Sequence, residues 1–473
     1  MNSNMNIGIR SIVRLLVGLF WVSSFFACGS NDDGNGSDEP QLDAPQLVSS
    51  IPVNGDKDIP TGDLEVILTY DQNVTISSAG HSEVTISGAT VENVSANLKK
   101  VTVCLSGLES GGNYMLKVPK GVVLGPTKVE APQVTISFST INTSEVKPVI
   151  SELCVSNPLP QAQKLYDYLV SIYGKKTLSG SMANVNWNIA EAELVHKTTG
   201  KYPAIAFFDY IHLYASAPDS WIDYGNTTIV EDWWSQGGLV GAGWHWMVPA
   251  YDGAATDNMT YEPEKTTFRP KNAIVEGTWE NRIIKADLEK IAGYLKLLQD
   301  KNIPVIWRPL HEAAGNIYEP WHGTAWFWWG YDGADVYKKL WIYMFDFFKE
   351  KGINNLIWVW TTQLNDADFY PGDAYVDIIG RDIYNQKAGP DNAVQYKTID
   401  EVYSKRLVVL SECGSVATIS SQWESGARWA YFMPWYQYNA TTLAGHEHAD
   451  DKWWTDAMTQ DYVVTRDQLP SMK

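Results

Sequence analysis

Cysteine is scarce in this chain: Cys28, Cys104, Cys154 and Cys413 in 473 residues. No CxxC pair or His-rich spacing accompanies them, which argues against a zinc site. Thiols this few and this scattered are not a disulfide framework, and buried free cysteines are the plain reading. Positive charge is also short. Against 55 Asp and Glu stand 36 Lys and Arg, a formal net charge of −19. The clustered basic face of a nucleic-acid binder is missing, so no nucleic-acid partner is expected. No Gly-rich phosphate loop follows an early strand, which argues against a doubly wound nucleotide-binding sheet. One apolar run stands out near the start, Leu15 to Ala27. It is too short to span a bilayer comfortably.

That run follows Arg10 and Arg14 and ends Phe25-Phe26-Ala27-Cys28-Gly29-Ser30. A basic start, an apolar core and a small residue before a cysteine read as a lipoprotein signal peptide over 1–27. Ala27-Cys28 resembles a bacterial lipobox, with Phe25 departing from the usual Leu. Cys28 would then carry lipid, and the alternative is a plain secretory signal. Residues 28–43 contain Ser30-Asn31-Asp32-Asp33-Gly34-Asn35-Gly36-Ser37-Asp38-Glu39, a polar acidic stretch expected to act as a flexible tether. Acid directly after the cysteine resembles the surface-export signal of Bacteroidetes lipoproteins. An exported chain anchored by lipid in the outer membrane, facing cell surface or periplasm, is the expectation.

Residues 44–141 change to short alternating β-branched runs, among them Leu64–Tyr70, Val101–Leu105, Tyr114–Val118 and Val134–Phe138. This spacing predicts a β-sandwich. Ser50-Ile51-Pro52-Val53-Asn54-Gly55 and the ending Phe138-Ser139-Thr140 resemble a bacterial Ig-like domain. No aromatic cluster marks it for glycan binding, so a spacer is the expected role.

From residue 150 to 473, strand-like and helix-like stretches alternate, which implies a parallel sheet. Eight strands are expected: Lys176–Met182, Pro203–Asp209, Leu239–Trp246, Pro304–Glu312, Asn355–Thr361, Val376–Tyr384, Leu407–Gly414 and Tyr431–Gln437. Eight such units predict a (β/α)8 TIM barrel, an α/β fold. Helical periodicity is clearest over Glu280–Gln299 and Asp335–Lys351, with Gly352 placed to end the second helix.

A barrel of this kind carries its active site at the C-terminal ends of the strands. The third strand ends Gly243-Trp244-His245-Trp246, and the fourth ends Arg308-Pro309-Leu310-His311-Glu312. The sixth carries Gly380-Arg381-Asp382-Ile383-Tyr384 and the seventh Ser411-Glu412-Cys413-Gly414. The eighth ends Pro434-Trp435-Tyr436. Glu312 and Glu412 thus come from strands on opposite sides of the mouth, among many aromatic rings. Two carboxylates flanking an aromatic cleft suit hydrolysis of a glycosidic bond, provided their surroundings push their pKa values apart.

Trp307-Arg308-Pro309-Leu310-His311-Glu312 and Trp326-Phe327-Trp328-Trp329-Gly330 resemble the signature of glycoside hydrolase family 26. Gly380–Tyr384, Leu410–Gly414 and Trp435-Tyr436 resemble its later blocks. The resemblance implies a retaining enzyme, a mannan endo-1,4-β-mannosidase working by double displacement on mannan, galactomannan or glucomannan. It implies Glu312 as acid/base and Glu412 as nucleophile, with no metal or organic cofactor. Arg308 and His311 would position the carboxylates and the substrate, Tyr384 would hydrogen-bond the nucleophile, and Asp382 would help hold its loop. His245, Trp326 and Trp435 would line subsites around the cleaved bond. A core histidine is the alternative for His245, and packing behind the site is expected of Trp328 and Trp329.

One stretch departs from the family pattern. Ala313 to Ala325 separates His-Glu from Trp-Phe-Trp-Trp, where the family has a short gap. It either adds a sugar platform through Tyr318 or Trp321 or walls off one end of the cleft. Two further readings of function stay open. One is another β-glycanase of the same family, acting on β-1,3-xylan or mixed-linkage glucan. The other is a non-catalytic surface lipoprotein that binds glycan.

Overall fold

The computed structural model describes residues 43–140, 148–320 and 322–473. Cys28, the expected signal peptide, most of the expected tether and Trp321 lie outside the described residues.

The first described region holds two four-stranded sheets. One runs Leu47–Ile51, Gly62–Tyr70, Lys100–Leu108, Thr90–Asn97 across the sheet, and the other Asp56–Ile59, Val134–Thr140, Asn113–Val118, Thr85–Ile86. Burial alternates along Asn113–Val118 and Val134–Thr140, as strands with one face inward require. Their inward residues, with Val66, Leu68, Val101 and Val103, form a core of their own.

The second region is a closed barrel of eight parallel strands. In chain order they are Thr177–Met182, Ile205–Asp209, Leu239–Trp244, Val305–Pro309, Leu356–Thr362, Ile378–Tyr384, Leu407–Gly414 and Tyr431–Pro434. The first pairs with both the second and the eighth, which closes the ring. Helices cover the outside, so most strand residues are buried on both faces and read as continuous apolar runs. Nine tryptophans rank among the largest fully buried side chains, Trp244, Trp307 and Trp358 included. Thirteen of the described tryptophans are buried, so most of the described indole is core material.

Two helices, Trp279–Asp300 and Ala334–Glu350, show how the sequence delivers the strands. The first starts on Thr278, whose hydroxyl accepts the Asn281 N–H at 3.1 Å. Its stripe of Ile284, Leu288, Ile291, Leu295 and Leu298 is buried. Both helices end in the same Schellman turn. Asn302 and Gly352 take left-handed backbone (φ 59° and 70°). Ile303 N–H then reaches the Leu298 carbonyl at 3.0 Å, and Ile353 N–H the Phe348 carbonyl at 2.9 Å. Each turn drops a buried isoleucine into the core immediately before the fourth and fifth strands.

Three strands stop short of their sequence-based ends. The third ends at Trp244, the fourth at Pro309 and the eighth at Pro434. Beyond these points the residues leave the ladder and build the mouth of the barrel.

Candidate active site

The fourth strand is bent out of the sheet by two left-handed residues, Leu310 (φ 47°) and Glu312 (φ 50°), on either side of His311. Neither type favours this backbone, at a cost of roughly 1–2 kcal/mol each. The compensation is visible on three successive carbonyls. Leu310 O accepts the Tyr337 hydroxyl at 3.0 Å, His311 O accepts Trp329 Nε1 at 2.8 Å, and Glu312 O accepts Gly315 N–H at 2.9 Å. Trp328 adds a fourth bond, Nε1 to the Trp246 carbonyl at 2.7 Å, which ties this segment to the end of the third strand. Gly330 must be glycine, because a Cβ there would meet the Ala313 carbonyl oxygen at 1.8 Å. The Trp-Phe-Trp-Trp-Gly block thus holds the backbone that carries Glu312, and Trp328 and Trp329 are fully buried.

The seventh strand reaches the mouth differently. Its register with the sixth strand slips by one residue, Arg381 facing Leu410 and Asp382 facing Glu412, so Ser411 is the extra residue of a bulge. Such a bulge re-aims the side chains that follow it. Gly380 makes room for it, since a Cβ there would lie 2.4 Å from Ser411 Oγ. The Ser411 hydroxyl donates to Asp382 Oδ1 at 2.7 Å.

Charged groups from three strands meet here. Arg308 Nη1 donates to Glu412 Oε2 at 3.0 Å, and Arg308 Nη2 is paired with Asp382 Oδ2. The Tyr384 hydroxyl donates to Glu412 Oε1 at 2.6 Å. Each oxygen of Glu412 therefore has its own donor. The Glu312 carboxyl has no hydrogen-bond partner among the described residues. Arg308 and Asp382 are 3% and 4% exposed, so they sit behind Glu412 and act by positioning it.

Burial lifts both glutamic acids above the ordinary carboxylate range, but unequally. For Glu412, the Arg308 guanidinium, His245 and the Tyr384 hydroxyl oppose burial. For Glu312, burial is reinforced by the Asp382 and Glu412 carboxylates, and its pKa stands well above the usual range. The protonated form belongs to Glu312.

The two histidines divide in the same way. Asp209, at the end of the second strand, accepts His245 Nδ1 at 2.6 Å and the His245 backbone N–H at 3.2 Å. Burial opposes a charge on His245, but the Asp209 carboxylate outweighs it and the pKa is raised. His311 lies ring to ring with His245, centroids 4.4 Å apart. Burial, with Arg308 and His245, drives its pKa well below the usual value, so it is neutral. Trp435 stands 5.4 Å from His245, half-buried, and its backbone N–H bonds the Cys413 carbonyl at 2.8 Å. Trp326 is 44% exposed and lies over Gly315.

Strand-end residues outside the expected set also shape the site. Asp209 closes the expected second strand, and a polar residue at that place was the available signal. Ser411 was hidden, because a bulge has no local sequence mark. His448 packs its ring 5.8 Å from Tyr384, and its carbonyl holds the Ser415 N–H at 2.8 Å. It arrives from a distant loop that strand-end reading does not reach. Among the described residues no group of three or more His, Cys, Asp or Glu is placed to hold a metal ion.

The segment from Ala313 to Ala325 leaves and rejoins the fold at one place, with Trp326 N–H on the Gly315 carbonyl at 3.3 Å. Within it, Tyr318 is 40% exposed, its hydroxyl bonded to Asp368 and its ring edge-on to Phe369. The excursion is braced on the loop after the fifth strand.

Comparison with known proteins agrees with this geometry. Residues 154–468 match the family described as Glycosyl hydrolase family 26. The chain is 36% identical over 346 residues to "Mannan endo-1,4-beta-mannosidase B" of Piromyces sp, covering 70% of this chain and 55% of that protein. It is 31% identical over 398 residues to the "Mannan endo-1,4-beta-mannosidase" of Thermothelomyces thermophilus, covering 78% and 77%. Among solved structures it resembles the GH26 domain of an endo-beta-mannanase/endo-beta-glucanase from Prevotella bryantii, with a TM-score of 0.64 and 40% identity over 67% of this chain and 99% of that one. The chain spans about half the length of the two Piromyces relatives it matches, 55% and 50%. With the family match covering most of the chain, and both glutamic acids at the mouth of a closed eight-stranded barrel, the chain belongs to glycosyl hydrolase family 26.

Proposed function

We propose that the chain hydrolyses β-1,4-mannosidic bonds with retention of anomeric configuration, as a mannan endo-1,4-β-mannosidase. One observation carries this reading: Glu412 has a donor on each oxygen, while Glu312 has none and is lifted further in pKa. In the first step a Glu412 oxygen attacks the anomeric carbon, the bond to the leaving oxygen breaks, and Glu312 gives that oxygen its proton. In the second, Glu312 takes a proton from water, the water oxygen bonds to the anomeric carbon, and the ester to Glu412 breaks. Arg308 favours the ionised form of Glu412 while Asp382 keeps Arg308 in place. The exposed indole of Trp326 and the half-buried one of Trp435 offer faces for sugar rings. The names of the relatives support mannan as the substrate.

Release of reducing ends across mannan, glucomannan, mixed-linkage glucan and β-1,3-xylan tests the substrate. Mannan is expected to lead by at least about tenfold, and an equal rate on glucan sinks the assignment. Glucan is the second reading, because the Prevotella bryantii relative carries endo-beta-glucanase in its name.

For the chain before the barrel, the proposal is export, lipid on Cys28 and an Ig-like spacer. The apolar run, Ala27-Cys28 and the acidic stretch support it. Labelled palmitate should enter the wild type and not Cys28→Ala; no uptake by the wild type removes the anchor.

A further inference from the structure

Among the described tryptophans only two are exposed, Trp326 at the mouth and Trp221, which is 64% exposed. Trp221 lies on the loop that leaves the second strand. The exposure is built into that loop. Its neighbours Ile222 and Tyr224 are buried, at 3% and 0%. The Tyr224 hydroxyl accepts the His212 N–H at 3.0 Å, and Tyr224 N–H reaches Ser216 Oγ at 2.9 Å. The His212 ring meets the indole edge-on at 4.8 Å. A large apolar ring is thereby held in water by a pinned backbone, where nothing in the barrel core needs it.

Beside it opens a cavity of about 390 Å³ whose polar lining includes Asn186, Ser220, Asp223 and Asp232, with Trp187 as a second aromatic wall. Trp187 is fixed in turn. Its Nε1 bonds the Asn226 carbonyl at 3.1 Å, and its ring packs on Phe208, Tyr210 and Tyr224. One indole face bordered by amide, hydroxyl and carboxylate groups matches a sugar ring, whose C–H face is apolar and whose rim is hydroxyl. A negative cavity in a chain of charge −19 is a poor match for an anion. The loop that carries Trp221 begins after Asp209, the residue that holds His245.

We propose that this cavity is a second binding site for the same β-1,4-mannan chain, used by long polymers and not by short oligosaccharides. The proposal rests on the mannanase reading of the cleft. A sugar ring stacks on Trp221, and Asn186, Ser220 and Asp232 take its hydroxyls.

The test uses the full chain as wild type, Trp221→Ala and Asp232→Ala. On long linear mannan, KM should rise about fivefold for Trp221→Ala and less for Asp232→Ala, with kcat on mannotriose unchanged. Retardation in a gel containing mannan should fall in parallel. An unchanged KM and mobility overturn the second site while leaving the mannanase reading intact. Equal losses on mannan and mannotriose also overturn it, because Trp221 then belongs to the cleft. A wild type that leaves mannan uncut yet is retarded by it through Trp221 refutes the mannanase reading alone.

Discussion

Glu312 and Glu412 are the same residue type at the ends of two strands of one barrel, and they are built in opposite ways. Glu412 follows a bulge and has each oxygen bonded, one to Arg308 and one to Tyr384. Glu312 is itself one of two left-handed residues, with Leu310, and the carbonyls of Leu310, His311 and Glu312 are all bonded while its carboxyl is left alone. The difference lies in what is held. At Glu412 the side chain is positioned, and its donors favour the ionised form against burial. At Glu312 only the backbone is positioned, and the carboxyl is free to gain and lose a proton. A nucleophile needs the first arrangement and a proton donor the second.

Removing the whole carboxylate tests the contrast most severely. Glu412→Ala should lower kcat on mannan by about four orders of magnitude or more with the fold intact. Azide should partly restore a reaction in each alanine variant and report which face lost its carboxylate. The expected products are an α-mannosyl azide from Glu412→Ala and a β-mannosyl azide from Glu312→Ala. Exchanged products would exchange the roles.

Next in size is Glu312→Ala, expected to cost about 10²–10⁴-fold on mannan. An aryl mannoside whose leaving group needs no proton should lose far less in its first step. Equal losses on both substrates would deny Glu312 the proton.

Smaller changes act on the holding groups. Asp382→Asn leaves the buried Arg308 with Glu412 as its remaining carboxylate partner and should cost up to about 3 kcal/mol of stability, read by denaturant unfolding. Tyr384→Phe removes a donor that favours ionised Glu412, so the acidic limb of kcat/KM should move to higher pH. The basic limb, where Glu312 loses its proton, should stay in place; movement of that limb instead would contradict the division of roles.

The smallest expected effect is on stability. The folded state raises the pKa of Glu312, so its stabilising contribution is present below the ordinary glutamate range and is lost as pH rises through the raised value. Glu312→Gln has no charge to bury. Its Tm should match the wild type in acid and exceed it increasingly as pH rises. A constant difference across pH would mean that Glu312 is not held neutral.

The sequence makes the barrel legible because most of its eight strands are apolar runs and several lead into polar or aromatic residues. Asp209 was legible by the same rule. The bulge at Ser411 was not, since nothing in Leu410-Ser411-Glu412 says that one residue is extra until its neighbour is known. The burial of Arg308 and Asp382 was equally hidden. Charged residues at strand ends look alike in sequence whether they meet a substrate or each other. Trp328 and Trp329 look like packing in the sequence, and their indole N–H groups also hold backbone, Trp329 at His311 beside Glu312 and Trp328 at Trp246 beyond the third strand.

The way the segment from Ala313 to Ala325 is attached has an evolutionary consequence. Its ends are fastened to each other through Gly315 and Trp326, and Gly330 closes on Ala313, before any residue in between is considered. Length and composition between those fastenings can drift without displacing the proton donor. The chemistry is thereby insulated from the part of the rim most able to change, and new substrate preferences can be tried there at little risk to turnover.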